Sequence, residues 1–235
     1  MNLGASWDAF WRQFYEYGAY ERVFKVGLVN TLIIAVSGLL IGIVIGTLIA
    51  AVRVMPKYKI WPRVLNFFCT VYVGFFRGTP IVVQLLMAYY VIFPIMEVNI
   101  GSLNTCIVVF GLNSGAYVSE LMRAGIQSVD IGQTEAGRAL GLSYAATMFK
   151  IIVPQAVKNI LPTLGNEFIA LIKDTSVVSF VAAVDLYKVF TEIGNRNYEY
   201  LMPYLIMALI YIVLVVIITI MVKLLEKWLH RSDRN

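Results

Sequence analysis

Charged, redox-active and metal-binding side chains are scarce in this chain of 235 residues. Only 14% of its residues are charged, whereas soluble domains carry about 25%, so the surface of a soluble globule could not be covered. Cys69, Cys106 and the single histidine, His230, form no metal-ligand or redox spacing. No G-x-x-x-x-G-K sequence occurs, which excludes ATP hydrolysis by that route. With 60% hydrophobic residues and a mean hydropathy of +0.77, the composition indicates a multi-spanning membrane protein.

Long apolar stretches predict five transmembrane spans, because a span needs roughly 20 apolar residues. The stretches are 26–52, 64–96, 102–121, 161–184 and 201–222. The second is too long for one straight span and contains Gly78 and Pro80. We therefore expect it to break into an interfacial piece and a span that begins at about Pro80.

The distribution of basic residues predicts the orientation of the chain in the membrane. Twelve of the 19 Lys and Arg residues lie in 53–63, 123–158 and the C-terminal segment, and five lie in the other connections. Because cytoplasmic loops carry the excess of Lys and Arg, the N-terminus is expected outside and the C-terminus in the cytoplasm. The net charge of +5 is then a consequence of topology and gives no reason to expect nucleic acid binding.

The N-terminal segment 1–25 is rich in aromatic residues. Trp7, Phe10, Trp11 and Phe14 recur at the spacing of one helix face, with charged residues between them. This pattern predicts an amphipathic helix in the outer membrane interface, with a disordered leader as the alternative. No cleaved signal peptide is expected, since a basic start followed by an apolar core is absent.

Ionisable groups within the fourth span are candidates for function, because each costs about 2.5–3.5 kcal/mol at the bilayer centre. At ~1.5 Å per residue, Lys173 lies about 18 Å into this span, just past the middle. Asn166 and Lys173 are seven residues apart and share one helix face, and Glu167 and Asp174 share the adjacent face. Both polar stripes are expected to face protein or water. Internal ion pairing is the alternative role for Glu167, Lys173 and Asp174.

The loop between the third and fourth spans is too long for a simple connector. Residues 133–140 read as a short helix that Gly141 ends, and Ser143 is suited to cap a second helix. Small residues, among them Ala136 and Gly137, cluster at the elbow. Such an elbow is able to enter a groove on another protein.

This loop resembles the cytoplasmic signature EAA-x3-G-x9-I-x-LP of the membrane subunits of ATP-binding cassette (ABC) importers. The spacing is kept in full, with Gly137 where alanine is usual and Val153 where leucine is usual. Over about residues 26–225 the chain is similar to the polar amino-acid uptake branch of that family. The resembling stretches are 76–80, 116–120, 123–126, 132–133, 154–156, 161–168 and 173–176.

The resemblance implies an all-α integral membrane protein with the five transmembrane helices of the type I ABC importer permease fold. It gives a transmembrane domain 26–225 with a coupling-helix loop at about 130–160, followed by a cytoplasmic tail 226–235. The extracytoplasmic interfacial helix 1–25 lies outside the resemblance and is expected from its own aromatic spacing. The resemblance implies a multi-pass protein of the cytoplasmic membrane that is not itself an enzyme. The residues expected to couple it to the ATPase are Glu135, Ala136, Gly137, Gly141 and Ser143.

The partners and cofactors follow from the same resemblance. A separate subunit binds and hydrolyses ATP with Mg²⁺, a second copy or a paralogue of the permease forms a dimer, and an extracytoplasmic protein delivers the amino acid. The lipid bilayer surrounds the assembly, and no metal, no cofactor in this chain and no nucleic acid is expected.

Transport of a polar amino acid requires that the charges of the cargo be paired inside the bilayer, because the free energy of burying an unpaired charge there is prohibitively high. Glu167 is favoured as the direct contact, since an ionised carboxylate accepts hydrogen bonds from an ammonium group. The alternatives are helix–helix contact for the polar run on the third span and a lipid headgroup for Arg77. The residues predicted to line the path are Arg77, Gln84, Asn113, Glu120, Asn166, Glu167, Lys173, Asp174, Thr175 and Ser176.

Two other functions remain open on the sequence. The same importer architecture is compatible with another small cargo, such as an opine, an osmolyte or a small anion. A secondary transporter driven by an ion gradient would also use intramembrane charges. The chain shows no internal repeat of the kind that many secondary transporters contain, and an ion-driven transporter leaves the spacing of the cytoplasmic signature unexplained.

Overall fold

The protein is helical throughout the residues that the computed structural model describes, which are 3–16, 18–56 and 58–231. Lys57 and Arg234, two of the basic residues used to predict the topology, lie outside these ranges. The first two residues of the predicted N-terminal helix and the last four of the predicted tail also lie outside them. Among the described residues no strand is formed, and the predicted all-α class is confirmed.

Nine helices account for most of the described residues. They are α1 (3–16, an α-helix over Leu3–Trp11 that continues as a π-helix over Arg12–Glu16), α2 (Ala19–Val54), α3 (Ile60–Gly78), α4 (Ile81–Ile95), α5 (Gly101–Gln127), α6 (Ile131–Ala139), α7 (144–174, including Val153–Asp174), α8 (Leu186–Asn197) and α9 (Leu201–Arg231). A 3₁₀ turn, Thr175–Val181, leads from α7 towards α8. The predicted tail from residue 226 continues α9 as far as the structure describes it.

Within the described residues, α2, α5 and α9 are long and apolar enough to cross a membrane, and the bent pair α3–α4 adds a fourth crossing if counted as one. Helix α7 carries the charges of the predicted fourth span and is not among them, so the count of five spans stays a prediction. The boundaries of that span differ from expectation. Its helix begins at residue 144 in the preceding loop and runs on without interruption, and the α-helical part ends at Asp174 instead of reaching residue 184.

The break predicted inside the second apolar stretch is present. Helices α3 and α4 meet at an angle of 105°. Thr79 is extended, with φ −121° and ψ 142°, and Pro80 follows it before α4 begins. The helical region of φ and ψ is sterically disfavoured for a residue that precedes proline. The bend is therefore predictable from Thr79 and Pro80 alone.

Helix α2 packs against α5 through a ladder of small residues that the sequence places on one face. A Cβ atom added to Gly38 would lie 3.1 Å from Phe110, and one added to Gly46 would lie 2.7 Å from Val118. Gly42 similarly faces Ser114. The absence of side chains allows the two backbones to approach closely, as small residues do in membrane helix pairs.

Helix α1 belongs to an apolar cluster that also contains residues of α8 and α9. Phe10 and Phe14 are buried there against Phe190 of α8 and Met202 of α9, whereas Trp7 is 47% exposed. The helix predicted from the aromatic spacing therefore forms, but half of its aromatic face is covered by protein. It also ends earlier than residue 25, because Gly18 adopts φ +66° and a new helix, α2, begins after it.

Candidate functional site

A cavity of about 440 Å³ opens where the chain bends between α3 and α4. Its walls come from this bend, from α5 and from α7, so segments distant in the sequence meet around it. Its lining is mostly apolar, with charged and polar groups at a few points. The side chains that bring polar groups to it are those of Arg77, Thr79, Asn113, Tyr117, Glu167 and Asp174.

The bend is held from behind by Gln84, which is 7% exposed. Its Nε2 atom donates to the carbonyl oxygens of Phe76 and Thr79, each at 2.9 Å, and its Oε1 atom accepts from Nδ2 of Asn113, also at 2.9 Å. These carbonyl groups are left without helical partners where α3 ends, so the amide replaces the missing backbone hydrogen bonds. Gln84 was predicted on the cargo path, and the structure places it behind the cavity wall, where it fixes Asn113.

Two carboxylates of α7 face the cavity. Glu167 is partly buried, and its Oε1 atom accepts a hydrogen bond from Oγ of Ser114 on α5 at 3.1 Å. Asp174 lies two turns further along α7 and is exposed. The seven-residue spacing that predicted a shared face for this pair is therefore realised in the cavity.

The other polar stripe of α7 turns away from the cavity. Asn166 lines a groove beside Lys223 of α9, and Lys173 and Ser176 line a second, mostly apolar groove between α7 and α9. Thr175 is buried and donates to the carbonyl oxygen of Ile172 at 2.7 Å. Neighbouring residues of a helix point about 100° apart, so only one stripe is able to face the cavity. Asn166, Lys173, Thr175 and Ser176 are thus not brought to the site by this chain.

The predicted alternative of an ion pair between Lys173 and Asp174 finds no support among the described residues. Both side chains are exposed, they line different depressions, and no contact within 4.0 Å joins their charged groups. The two residues are adjacent in sequence, and helical geometry directs their side chains apart.

Arg77 connects the cavity to a cluster of charges around Glu120. Its guanidinium carbon lies 5.5 Å from the ring centre of Tyr117, which is within cation–π range, and Nη1 lies 3.9 Å from Oε1 of Glu120. Glu120 is also bound by Arg123 at 2.6 Å and by Arg53. Glu120 was predicted on the cargo path, but it lies beyond the cavity wall and is occupied by these arginines.

Thr79 and Tyr117 also contribute polar groups to the cavity lining, but they are not among the residues predicted to line the cargo path. Tyr117 belongs to the polar run of α5 that contains Asn113, so its spacing of four residues was an available signal. Thr79 lies in the break itself, where helical periodicity gives no information about direction.

The loop that is predicted to be cytoplasmic forms the two helices expected for it. Gly141 adopts φ +71° between α6 and α7, and Oγ of Ser143 accepts from the backbone nitrogen of Ala146 at 3.2 Å. Glu135 and Ala136 are exposed on α6. In the same loop the apolar side chains Ile131, Leu140 and Phe149 are 73–77% exposed. An exposed apolar surface of this kind is typical of an interaction site.

No group of three or more His, Cys, Asp or Glu residues that could hold a metal ion occurs among the residues that the structure describes. Cys69 and Cys106 are free thiols.

A family model described as binding-protein-dependent transport system inner membrane component matches residues 38–231. The putative glutamine transport system permease protein of Rickettsia prowazekii (strain Madrid E) is 40% identical over 182 residues, which cover 77% of this chain and 81% of that protein. In Bacillus subtilis (strain 168), the L-cystine transport system permease protein is 35% identical, with 88% of this chain and 85% of that protein covered. The arginine transport system permease protein of the same organism is 38% identical, with 77% and 80% covered.

Among the solved structures similar to this chain, two cover most of its length. The crystal structure of an amino acid ABC transporter with histidines superposes with a TM-score of 0.82 at 36% identity, covering 91% of this chain and 97% of that one. An inward-facing structure of the MetNI methionine ABC transporter superposes with a TM-score of 0.71 at 20% identity, covering 86% and 94%. The second likeness concerns the fold alone.

Proposed function

The chain belongs to the family of binding-protein-dependent transport system inner membrane components, and we propose that it is the permease subunit of an ATP-driven importer of polar amino acids. The relatives named for glutamine, cystine and arginine favour an amino acid as cargo over an opine, an osmolyte or a small anion. Membership of this family also argues against the secondary transporter driven by an ion gradient.

The observation that carries the choice of cargo is the set of charges around the cavity. Glu167 and Asp174 are two carboxylates that accept from ammonium groups, and Arg77 is a guanidinium that binds a carboxylate. The lining thus offers partners for both ends of a zwitterion. Because carboxylates outnumber guanidinium groups, neutral polar and cationic amino acids fit better than anionic ones.

A second permease copy or a paralogue is part of the proposed assembly. Lys173 is exposed on α7 beside a mostly apolar groove, at a depth where lipid contact is costly. Contact with another permease or with the water of the transport path meets this requirement. The chain then lies in the cytoplasmic membrane with its N-terminus outside, and the extracytoplasmic amino-acid-binding protein delivers cargo from that side.

Coupling to the ATP-binding subunit is assigned to the helix pair α6–α7. Glu135 and Ala136 offer the exposed contact surface, while Gly137, Gly141 and Ser143 shape the elbow. ATP and Mg²⁺ bind on the partner, since this chain has no phosphate-binding motif. Gly141→Val is expected to uncouple the ATPase, because a β-branched residue at φ +71° costs ~1 kcal/mol or more. Ala136→Arg is expected to block docking by its bulk.

The direct test is reconstitution of the permease with its ATP-binding subunit and its binding protein in liposomes. Uptake of radiolabelled glutamine, arginine, cystine and glutamate is measured with ATP inside and with a non-hydrolysable analogue. We expect uptake that requires hydrolysis and that is weakest for glutamate. Hydrolysis-independent uptake, or no uptake of any amino acid, would contradict the proposed function.

A further inference from the structure

A side-chain hydrogen bond joins the elbow between α6 and α7 to the end of α2, in addition to the covalent continuity of α7 with the predicted fourth span. The phenol of Tyr144 donates to the carbonyl oxygen of Val54 at 3.0 Å. Val54 is the last residue of α2, and the last carbonyl groups of a helix have no partner within it. Tyr144 directly follows the capping residue Ser143, so its position is fixed to the elbow. Tyr144 is 42% exposed, and its partial burial raises the pKa of the phenol, which keeps the proton that it donates.

The residue before Val54 connects the same helix end to α5. Arg53 forms an ion pair with Oε1 of Glu120, and the two side chains are only 15% and 17% exposed. Arg123 binds the other carboxylate oxygen at 2.6 Å. Because the Arg53–Glu120 pair is shielded from water, it joins the end of α2 to α5 more firmly than a surface ion pair would.

Arg77, the third arginine near the Glu120 carboxylate, also lines the cavity. Arg77 lies 3.9 Å from Oε1 of Glu120 and is 45% exposed, so it is the most loosely held of the three guanidinium groups. One carboxylate does not neutralise three guanidinium groups. Arg77 is therefore the one that is free to move towards an anionic group inside the cavity that it lines.

We propose that Arg77, Glu120, Arg53 and Tyr144 form a relay that reports occupation of the cavity to the cytoplasmic elbow. When a cargo carboxylate attracts Arg77, Glu120 is left to Arg53 and Arg123, and its ion pair with Arg53 holds the end of α2 more firmly against α5. Tyr144 transmits the position of this helix end to the elbow. The relay rests on the proposed function, and Tyr144 acts in it as a positioning residue without touching cargo or nucleotide.

The variant Tyr144→Phe tests the relay because it removes the hydroxyl donor and keeps the ring. Tyr58→Phe is the matched control, since Tyr58 lies just beyond α2 and is 87% exposed. Each variant is reconstituted with the ATP-binding subunit in liposomes, and ATP hydrolysis is measured with and without cargo-loaded binding protein. In Tyr144→Phe, subunit co-purification and the unstimulated rate should remain at wild-type level, while stimulation and uptake per ATP fall at least twofold. Tyr58→Phe should match wild type.

A double-mutant cycle checks that Tyr144 and Arg53 act through the same helix end. Arg53→Gln should lower stimulation as Tyr144→Phe does, the double variant should be little worse than either, and Arg53→Lys should recover part of the effect. A purely structural role would reduce the amount of complex without changing the stimulation ratio.

Three outcomes would overturn the relay. If loaded binding protein stimulates ATP hydrolysis equally in Tyr144→Phe and Tyr58→Phe, and the wild type transports, the relay is refuted and the proposed function is not. Fully additive losses in the cycle refute a shared route. A wild-type complex that shows no ATP-dependent uptake refutes the proposed function and the relay with it.

Discussion

Ser114 of α5 donates a hydrogen bond of 3.1 Å to Oε1 of Glu167 on α7 and thereby orients the carboxylate that faces the cavity. The serine is itself held by helix packing, because a Cβ atom at Gly42 of α2 would lie only 2.5 Å from its Oγ atom. Three helices consequently determine where this carboxylate points. The proposed contact with cargo depends on the packing of α2 against α5 as well as on Glu167 itself.

Glu167→Gln is expected to leave assembly intact and to reduce the kcat/KM of uptake by about tenfold or more. A hydrogen bond to a charged group is worth about 1.5–3 kcal/mol, and the substitution removes the charge without changing the shape. Uptake kinetics for several amino acids in liposomes measure the effect. Glu226→Gln, on the exposed end of α9, is the control. Wild-type kinetics for every cargo would leave Glu167 as a packing residue.

Asp174→Asn and Lys173→Ala should have different effects, although the two residues are adjacent. Asp174 lines the cavity and Lys173 lines the groove between α7 and α9, with no ion pair between them. We expect Asp174→Asn to lower uptake of cationic amino acids by several-fold. Lys173→Ala should leave uptake by each assembled complex near wild type. Equal losses of specific uptake in both variants would mean that the two stripes of α7 share one site.

Gly137→Ala should strain the elbow even though alanine is usual at this position in the family. A Cβ atom there would lie 2.7 Å from both Cγ2 and Oγ1 of Thr147. Overpacking of this kind costs about 1–3 kcal/mol. The double variant Gly137→Ala, Thr147→Ala is expected to recover most of the loss, because the space occupied by the threonine side chain becomes available. The yield and the thermal stability of the complex with the ATPase are measured for the single and the double variants. If the effects of the two substitutions simply add, the contact between residue 137 and Thr147 is excluded.

Single cysteines at Ser143 and Asn195, with Cys69 and Cys106 replaced, should label from opposite sides of the membrane. The excess of Lys and Arg places the loop with Ser143 in the cytoplasm and α8 with Asn195 outside. An impermeant maleimide added to intact cells is expected to label Asn195→Cys alone. Labelling of Ser143→Cys from outside would reverse the orientation.

Features that depend on local backbone chemistry were predictable from the sequence. Pro80 ends α3 because the residue before a proline is driven out of the helical region, and Gly141 ends α6 because glycine accepts positive φ at little cost. Ser143 caps α7 through its own side chain. Such signals involve a few neighbouring residues, and the tertiary structure leaves them unchanged.

The direction in which each polar face of α7 points was decided by the tertiary structure. Spacing in the sequence showed that Glu167 and Asp174 share one face and that Asn166 and Lys173 share the next, but it did not fix the rotation of α7 against α5 and α9. Packing against these helices turns the first pair to the cavity and the second away from it. The partners of Glu120 are also a tertiary property, because Arg53 and Arg77 reach it from other helices. Helical periodicity relates residues within one helix, and only the packing of helices determines which of them meet.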